Sequence, residues 1–252
     1  MEHIPKLSFC ITCKNRFYQI KETLPKNLSD NKFFKDITEF VLVDFGSQDG
    51  LKEWVISTFS KELNEGYLAY YYTDELPSWH ASVAKNTSHF FAAHDLLVNL
   101  DCDNFTGRFG GKFMIKNFIR YGTDMVSHQF SSDYGDGTYG RIGLSKAHFI
   151  SLGGYDESFE PMGFQDVDLI SRAQSIGLNY KNMYNAQYSG SIINSKSEKI
   201  RYCNSELSYD QMNLLNWEKS YKNKQAGKYI ANEGLFGIRK NVFNYLGKEM
   251  EI

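Results

Sequence analysis

Two aspartates one residue apart, Asp101 and Asp103, close an apolar run through Leu97, Val98 and Leu100. A strand that ends on a D-x-D pair presents two hard oxygen ligands side by side. Mg2+ and Mn2+ favour such ligands, and Mg2+ is commonly held by one or two carboxylates together with substrate phosphates. A solvated turn after a strand uses the same residues, so the spacing alone leaves both uses open. Other polar groups end other apolar runs: Thr12 and Asn15 after LSFCI, and Asp44 after FVLV. Lys85 and Asn86 lie in the stretch that leads into the D-x-D pair. Further along, Asp166, Ile170 and Ala173 share one helical face, and Asp168 stands four residues before Arg172. That spacing puts Asp166 on the inward side of a helix near its N-terminus, where the macrodipole favours a carboxylate, and gives Asp168 the geometry of an exposed ion pair.

The elements that must position these residues follow from hydrophobic period. Strands are predicted at Leu7–Thr12, Phe40–Asp44, Tyr67–Thr73 and Leu96–Asp101. Helices are predicted between them, through Phe17, Ile20, Leu24 and Leu28, over Gly50–Phe59, and over Ser78–His94. This alternation implies right-handed crossovers and an α/β fold with a mostly parallel sheet, whose ligands bind beyond the carboxyl ends of the strands. After residue 105 the rhythm changes to a helix around Phe113–Ile119, a strand at Met125–Phe130, a polar loop over 131–140, and helices over Ser145–Leu152 and Gly163–Ile176. The loop, with three glycines and two tyrosines, has the composition of a mobile lid. Leu207, Leu214, Leu215 and Trp217 are read as the core-packing side of a tail helix. No repeat and no Pro/Ser/Gly linker divides the chain. The expected division is a catalytic-type domain over 1–195, with halves at 1–105 and 106–195, and a helical extension over 196–252 packed on it.

Composition bounds the rest. The 252 residues are 42% hydrophobic and 23% charged, and a chain of this length buries roughly 70 to 75% of its unfolded surface without staples. The net charge is -2 and no block of five or six like charges occurs, so the footprint of a dedicated nucleic-acid binder is absent. No long apolar segment suggests a leader or a membrane span. The expectation is a cytoplasmic protein, with peripheral attachment to a membrane as the variant. Cys10 and Cys13 form a C-x-x-C within a strand, where they point to opposite faces, which favours reduced core thiols over a zinc or redox site. All six histidines (3, 80, 89, 94, 128 and 148) precede residue 149. His80, beside Trp79, reads equally as a donor contact and as a helix-start packing residue.

Three blocks carry a resemblance. FVLVDFGSQDG resembles the V-D-x-G-S-x-D-G stretch of family 2 type glycosyltransferases of the GT-A fold. AKNTSHFFAAHDLLVNLDCDN resembles their asparagine-bearing helix and D-x-D strand, and GGYDESFEPMGFQDVDLISRAQSIG their G-G-Y-D-E and D-x-D-L segment. The blocks arrive in the family's order and span residues 7 to about 180. The resemblance implies a GT-A, Rossmann-like α/β domain that takes a sugar, hexosyl or pentosyl, from a nucleotide-sugar, most simply a UDP-sugar. Thr12, Asn15 and Asp44 would meet the nucleoside, Lys85 and Asn86 would orient the diphosphate or sugar, and Asp103 with Asp101 would hold Mn2+ or Mg2+. Asp166 would be the general base of an inverting transfer, with Asp168 structural, and Gly153, Gly154, Phe164 and Gln165 would line the sugar or acceptor pocket. The acceptor is left open among a glycan, a lipid-linked saccharide, a protein and a modified nucleic acid. Gln165 and Phe45 depart from the family pattern, and no histidine follows the base. Asn194 is the candidate for the missing third metal ligand. These departures keep a second reading, a non-catalytic relative that binds nucleotide-sugar or glycan. A nucleotidyltransferase is disfavoured, since no Gly-rich phosphate loop follows the first strand.

Overall fold

The structure, a computed structural model, describes residues 4–250, so the extreme ends of the two expected segments lie outside the described residues. The elements run β1 (Leu7–Cys13), α1 (Phe17–Asn31), β2 (Thr38–Asp44), α2 (Leu51–Thr58), α3 (Ser60–Asn64), β3 (Leu68–Tyr72), α4 (Ala81–Phe91) and β4 (Leu96–Asn99). Then come β5 (Asn104–Phe105), α5 (Gly110–Tyr121), β6 (Met125–His128), β7 (Ile142–Ser145), α6 (Lys146–Ser151) and α7 (Gln165–Ser175). The last are β8 (Asn179–Asn182), β9 (Gly190–Ser191), α8 (Lys196–Ile200), α9 (Tyr209–Gln225) and β10 (Phe243–Asn244).

β1 is buried at every position, so each of its faces needs its own apolar layer. Leu7, Phe9, Ile11 and Cys13 pack with Ile20 and Leu24 of α1 and Met114 and Phe118 of α5. Cys10 belongs to the opposite layer, with Val41, Val43, Phe149 and Leu169. The two thiols are free and buried on opposite faces, as strand alternation requires.

The main sheet has eight strands in the order β10-β3-β2-β1-β4-β7-β6-β8. β3, β2, β1 and β4 run parallel, which brings the carboxyl ends of β1, β2 and β4 to one rim. β7 is antiparallel to β4 and β6, and Ser145 ends it by capping α6 through the His148 N–H. The sequence pattern missed β7 because its four residues, Ile-Gly-Leu-Ser, are too short to show a period. A separate two-stranded ribbon, β5 with β9, lays residues 190–194 beside the D-x-D turn.

The tail departs from expectation. Leu214, Leu215 and Trp217 face outward, and the buried face of α9 is Met212, Asn216 and Ser220. The physical reason lies in what α9 covers. The Asn216 amide donates to the carbonyls of Glu160, Met162 and Gly163 and accepts from the Glu160 N–H, satisfying a loop that would otherwise bury unpaired backbone groups. After α9 the chain leaves helical structure, and β10 pairs antiparallel with β3 as an edge strand of the main sheet. Among the described residues no helix is long and apolar enough to cross a membrane.

Candidate active site

A cavity of about 550 Å³ opens at the rim where β1 and β4 end. Thr12, Lys14 and Arg16 enter it from the end of β1, Lys85 from α4, Asp101 and Asp103 from the turn after β4, and Phe164, Gln165 and Asp166 from the start of α7. Tyr134, Tyr139 and Gly140 come from the 131–140 loop, and Asn194, Lys196, Lys199, Tyr202 and Tyr209 from the tail.

At its floor lies a charged triad. The Lys85 ammonium donates to Asp166 Oδ1 at 2.7 Å and stands 3.8 Å from Asp101 Oδ1, above the Tyr155 ring at 5.3 Å. Burial alone would lower the lysine's pKa, but the two carboxylates outweigh it and push it well above the usual range, so Lys85 is a fixed cation. Burial would likewise raise Asp101, yet the Lys85 charge and the Asn99 amide hold it below the ordinary carboxylate value. The backbone of Gly140 passes directly over this triad: a Cβ there would lie 2.8 Å from Asp101 Oδ2, 3.1 Å from Lys85 Nζ and 3.4 Å from Asp166 Oδ2. Asn99 ties the loop down by donating to the Gly140 carbonyl at 2.9 Å and to Asp101 at 3.0 Å.

Asp103 lacks such a partner. Among the described residues its oxygens accept from the side-chain amides of Asn104 and Asn194, and burial together with the neighbouring Asp101 charge pushes it up to about 6. A half-buried carboxylate with no direct ion-pair partner, one residue from a second carboxylate, suits a hard divalent cation whose remaining ligands come from substrate phosphates. Among the described residues no group of three or more His, Cys, Asp or Glu gathers as a metal cage, and an ion at these two carboxylates would need further oxygens from elsewhere. Asn194 does not supply a third oxygen here. Its amide N–H points at Asp103, and its Oδ1 accepts from Gln19 at 2.6 Å, so it steadies Asp103.

Other sequence-predicted residues stand outside the cavity. Asp44 is fully buried, accepting from the Ser47 N–H at 2.9 Å and the Tyr70 hydroxyl at 2.8 Å. Asn15 lines a separate, shallower cleft with Tyr18, Lys21 and Arg201. Asn86 follows Lys85 on α4 and is therefore rotated about 100° away from the cavity. Its side chain accepts from the Tyr155 N–H and donates to Tyr155 O and Glu157. Gly153 and Gly154 do not line this cavity; a Cβ on Gly153 would strike the Ala231 carbonyl and one on Gly154 the Asn86 amide. Asp168 is 2% exposed, not a surface residue, and accepts from Arg172 Nε at 2.6 Å and Ser220 Oγ at 2.7 Å. Arg172 continues to the carbonyls of Leu152 and Gly154. His80 packs, with Nε2 3.0 Å from the Phe159 carbonyl.

The sequence reading missed the basic wall formed by Arg16, Lys196 and Lys199. Its only signal was the pair of lysines three apart after Asn194. It also missed Arg141, which is buried and donates to Asn104 Oδ1 and to the carbonyls of Tyr188 and Gly190. Arg141 thereby joins the D-x-D turn to the ribbon, and burial lowers its pKa to about 10. Gln165 keeps one unclaimed acceptor, Oε1, buried at the cavity wall.

No protein-family model matches this sequence, and a search of curated proteins finds no match. Solved structures do resemble it in fold. The mannosyltransferase PcManGT from Pyrobaculum calidifontis, in complex with GDP-Man and Mn2+, superposes with a TM-score of 0.61 at 13% identity, covering 87% of this chain and 70% of that one. S. aureus TarS 1–349 in complex with UDP-GlcNAc gives 0.61 at 14% identity, covering 87% and 73%. The UDP complex gives 0.60 at 15%, covering 87% and 72%. The chain has their GT-A fold, a large, mostly parallel sheet flanked by helices.

Proposed function

We propose that this chain is a glycosyltransferase that moves a sugar from a nucleotide-sugar, most simply a UDP-sugar, to an acceptor hydroxyl with inversion, using Asp166 as general base. The observation that carries the reading is the single cavity in which Asp101 and Asp103 face Asp166 across Lys85. The fold-mates' complexes with GDP-Man and UDP-GlcNAc add support at the level of nucleotide-sugar chemistry.

The diphosphate enters beside Asp101 and Asp103, where five basic side chains, Lys14, Arg16, Lys85, Lys196 and Lys199, also reach the cavity. A bound Mn2+ or Mg2+ at the two aspartates supplies further charge neutralisation for the departing nucleoside diphosphate. Lys85 has two suitors. In the free protein it donates to Asp166 Oδ1 at 2.7 Å. The incoming phosphates compete for the ammonium and release Asp166 to the acceptor. Asp166 then takes the proton of the acceptor hydroxyl, whose oxygen attacks the anomeric carbon from the face opposite the leaving group. Gln165 Oε1 is free to receive a sugar hydroxyl, and Trp79, Tyr134, Tyr139 and Tyr209 offer flat apolar faces against which sugar rings stack.

The test is a panel of nucleotide-sugars with Mn2+, followed by thermal stabilisation and slow donor hydrolysis. A donor at 100 times its Kd raises stability by about 2.7 kcal/mol. Stabilisation with cleavage supports the enzyme, stabilisation without cleavage by any donor supports the binding-only relative, and no response to any nucleotide-sugar refutes both.

A further inference from the structure

α9 is docked by Met212 and by polar contacts, and carries most of its large apolar residues on the outside. Leu214, Leu215, Trp217 and Tyr221 are 52%, 43%, 47% and 56% exposed, and the rings of Trp217 and Tyr221 stack with centroids 6.2 Å apart. Residues 214, 217 and 221 fall at i, i+3 and i+7, a stripe opposite the docked Met212, Asn216 and Ser220. From Tyr209 to Lys228 the chain has four lysines, at 219, 222, 224 and 228, against two acids, Asp210 and Glu218; Lys219 and Lys224 donate to Ser158 O and Ser171 Oγ, while Lys222 and Lys228 are exposed. This local excess stands out in a protein whose net charge is -2.

An exposed stripe with a tryptophan and a tyrosine, with Lys222 and Lys228 exposed on the same segment, suits a membrane interface. Its rings enter the headgroup layer while its lysines meet anionic lipids. We propose that this face of α9 docks on an anionic lipid surface. A second copy of the chain is a poorer occupant. A stable pair needs about 800 Å² of complementary surface from each partner, and a two-fold contact would bring the same lysines against one another. The placement also has a geometric consequence. Tyr209, Asp210 and Asn213 of the same helix line the cavity, so docking holds the cavity mouth near the headgroups. The docking stands apart from the sugar-transfer reading; given that reading, it favours an acceptor carried on a lipid.

Sedimentation with phosphatidylcholine vesicles, with and without roughly a third phosphatidylglycerol, tests this directly. The wild-type chain should pellet with the anionic vesicles and not with phosphatidylcholine alone. Added salt should release it, and its tryptophan emission should shift to shorter wavelength on binding. The double variant Leu214→Ser/Trp217→Ser should lose about tenfold or more in partitioning while melting at the wild-type temperature. Lys222→Glu/Lys228→Glu is an independent arm that should lose the salt-sensitive part. Equal pelleting with both vesicle types, or unchanged binding by both variants, would overturn the proposal. So would a concentration-dependent dimer in light scattering that the serine variant abolishes, because the face would then belong to a second copy.

Discussion

Gly140 is a site residue because it has no side chain. Its backbone torsion admits any residue, so a methyl there acts only by intruding among Asp101, Lys85 and Asp166. Gly140→Ala is expected to keep the fold and weaken nucleotide-sugar binding by about tenfold or more, the scale of an overpacking penalty of 1 to 3 kcal/mol. Titration calorimetry showing wild-type affinity would remove the triad from the donor site. Asp168 is a different case. Neutralising it leaves Arg172 buried without its counter-charge, so Asp168→Asn should cost on the order of 3 kcal/mol, visible in urea unfolding, with activity per folded molecule retained. A loss below about 0.5 kcal/mol would return Asp168 to the surface role its spacing suggested. That spacing was legible and its burial was not. The i, i+4 relation to Arg172 fixes the pair, but the cover comes from Ser220 of α9, more than fifty residues away in sequence.

Most elements of the first hundred residues were legible because β1, β2 and β4 are buried runs beside polar ends, whereas the five-residue α3 was too short to show a period. The strands from β5 onward were mostly hidden. β5 and β9 are two residues each, and Arg141 donates to both, to Asn104 Oδ1 and to the Gly190 carbonyl. α9 was legible as a helix, with Ser208 and Gln211 forming a capping box, but not in its orientation, since its docked side is amide and hydroxyl. Asn216→Ala should therefore destabilise by about 2 to 3 kcal/mol, as buried carbonyls of the 160–163 loop lose their donor. A chevron or equilibrium melt within about 0.5 kcal/mol of wild type would show that water replaces the amide without cost. The 131–140 loop belongs to this scale too. Tyr134 is 72% exposed and stacks on Tyr139 at 5.2 Å, and the loop reaches the triad only at Gly140. Donor and metal together are expected to slow hydrogen exchange across 131–140. Exchange indifferent to both would make the loop a static wall.

The whole molecule is built as a sheet with two cores, whose rim gathers charge from five separate segments of the chain. The α4 side of that sheet buries His89, stacked on Phe149 at 4.5 Å and bonded through Nδ1 to the Lys85 carbonyl at 2.7 Å. Burial lowers its pKa to about 3. The unfolded chain therefore takes up a proton near pH 6.5 that the native state refuses, so stability falls as pH drops from about 6.5 towards about 3. His89→Gln should flatten that slope between pH 6 and roughly 4, and equal slopes in both proteins would mean that His89 charges freely in the fold. The central claim concerns the rim. It is tested most directly by comparing wild type with Asp166→Asn in donor affinity and in sugar release from the nucleotide-sugar that the panel identifies, with Mn2+ present. The amide fills the carboxylate's space but cannot take a proton. The expected result is donor binding within a few-fold of wild type and sugar release slowed by about 100-fold or more. Undiminished release in Asp166→Asn, or a wild-type protein that neither binds nor cleaves any nucleotide-sugar, would contradict it.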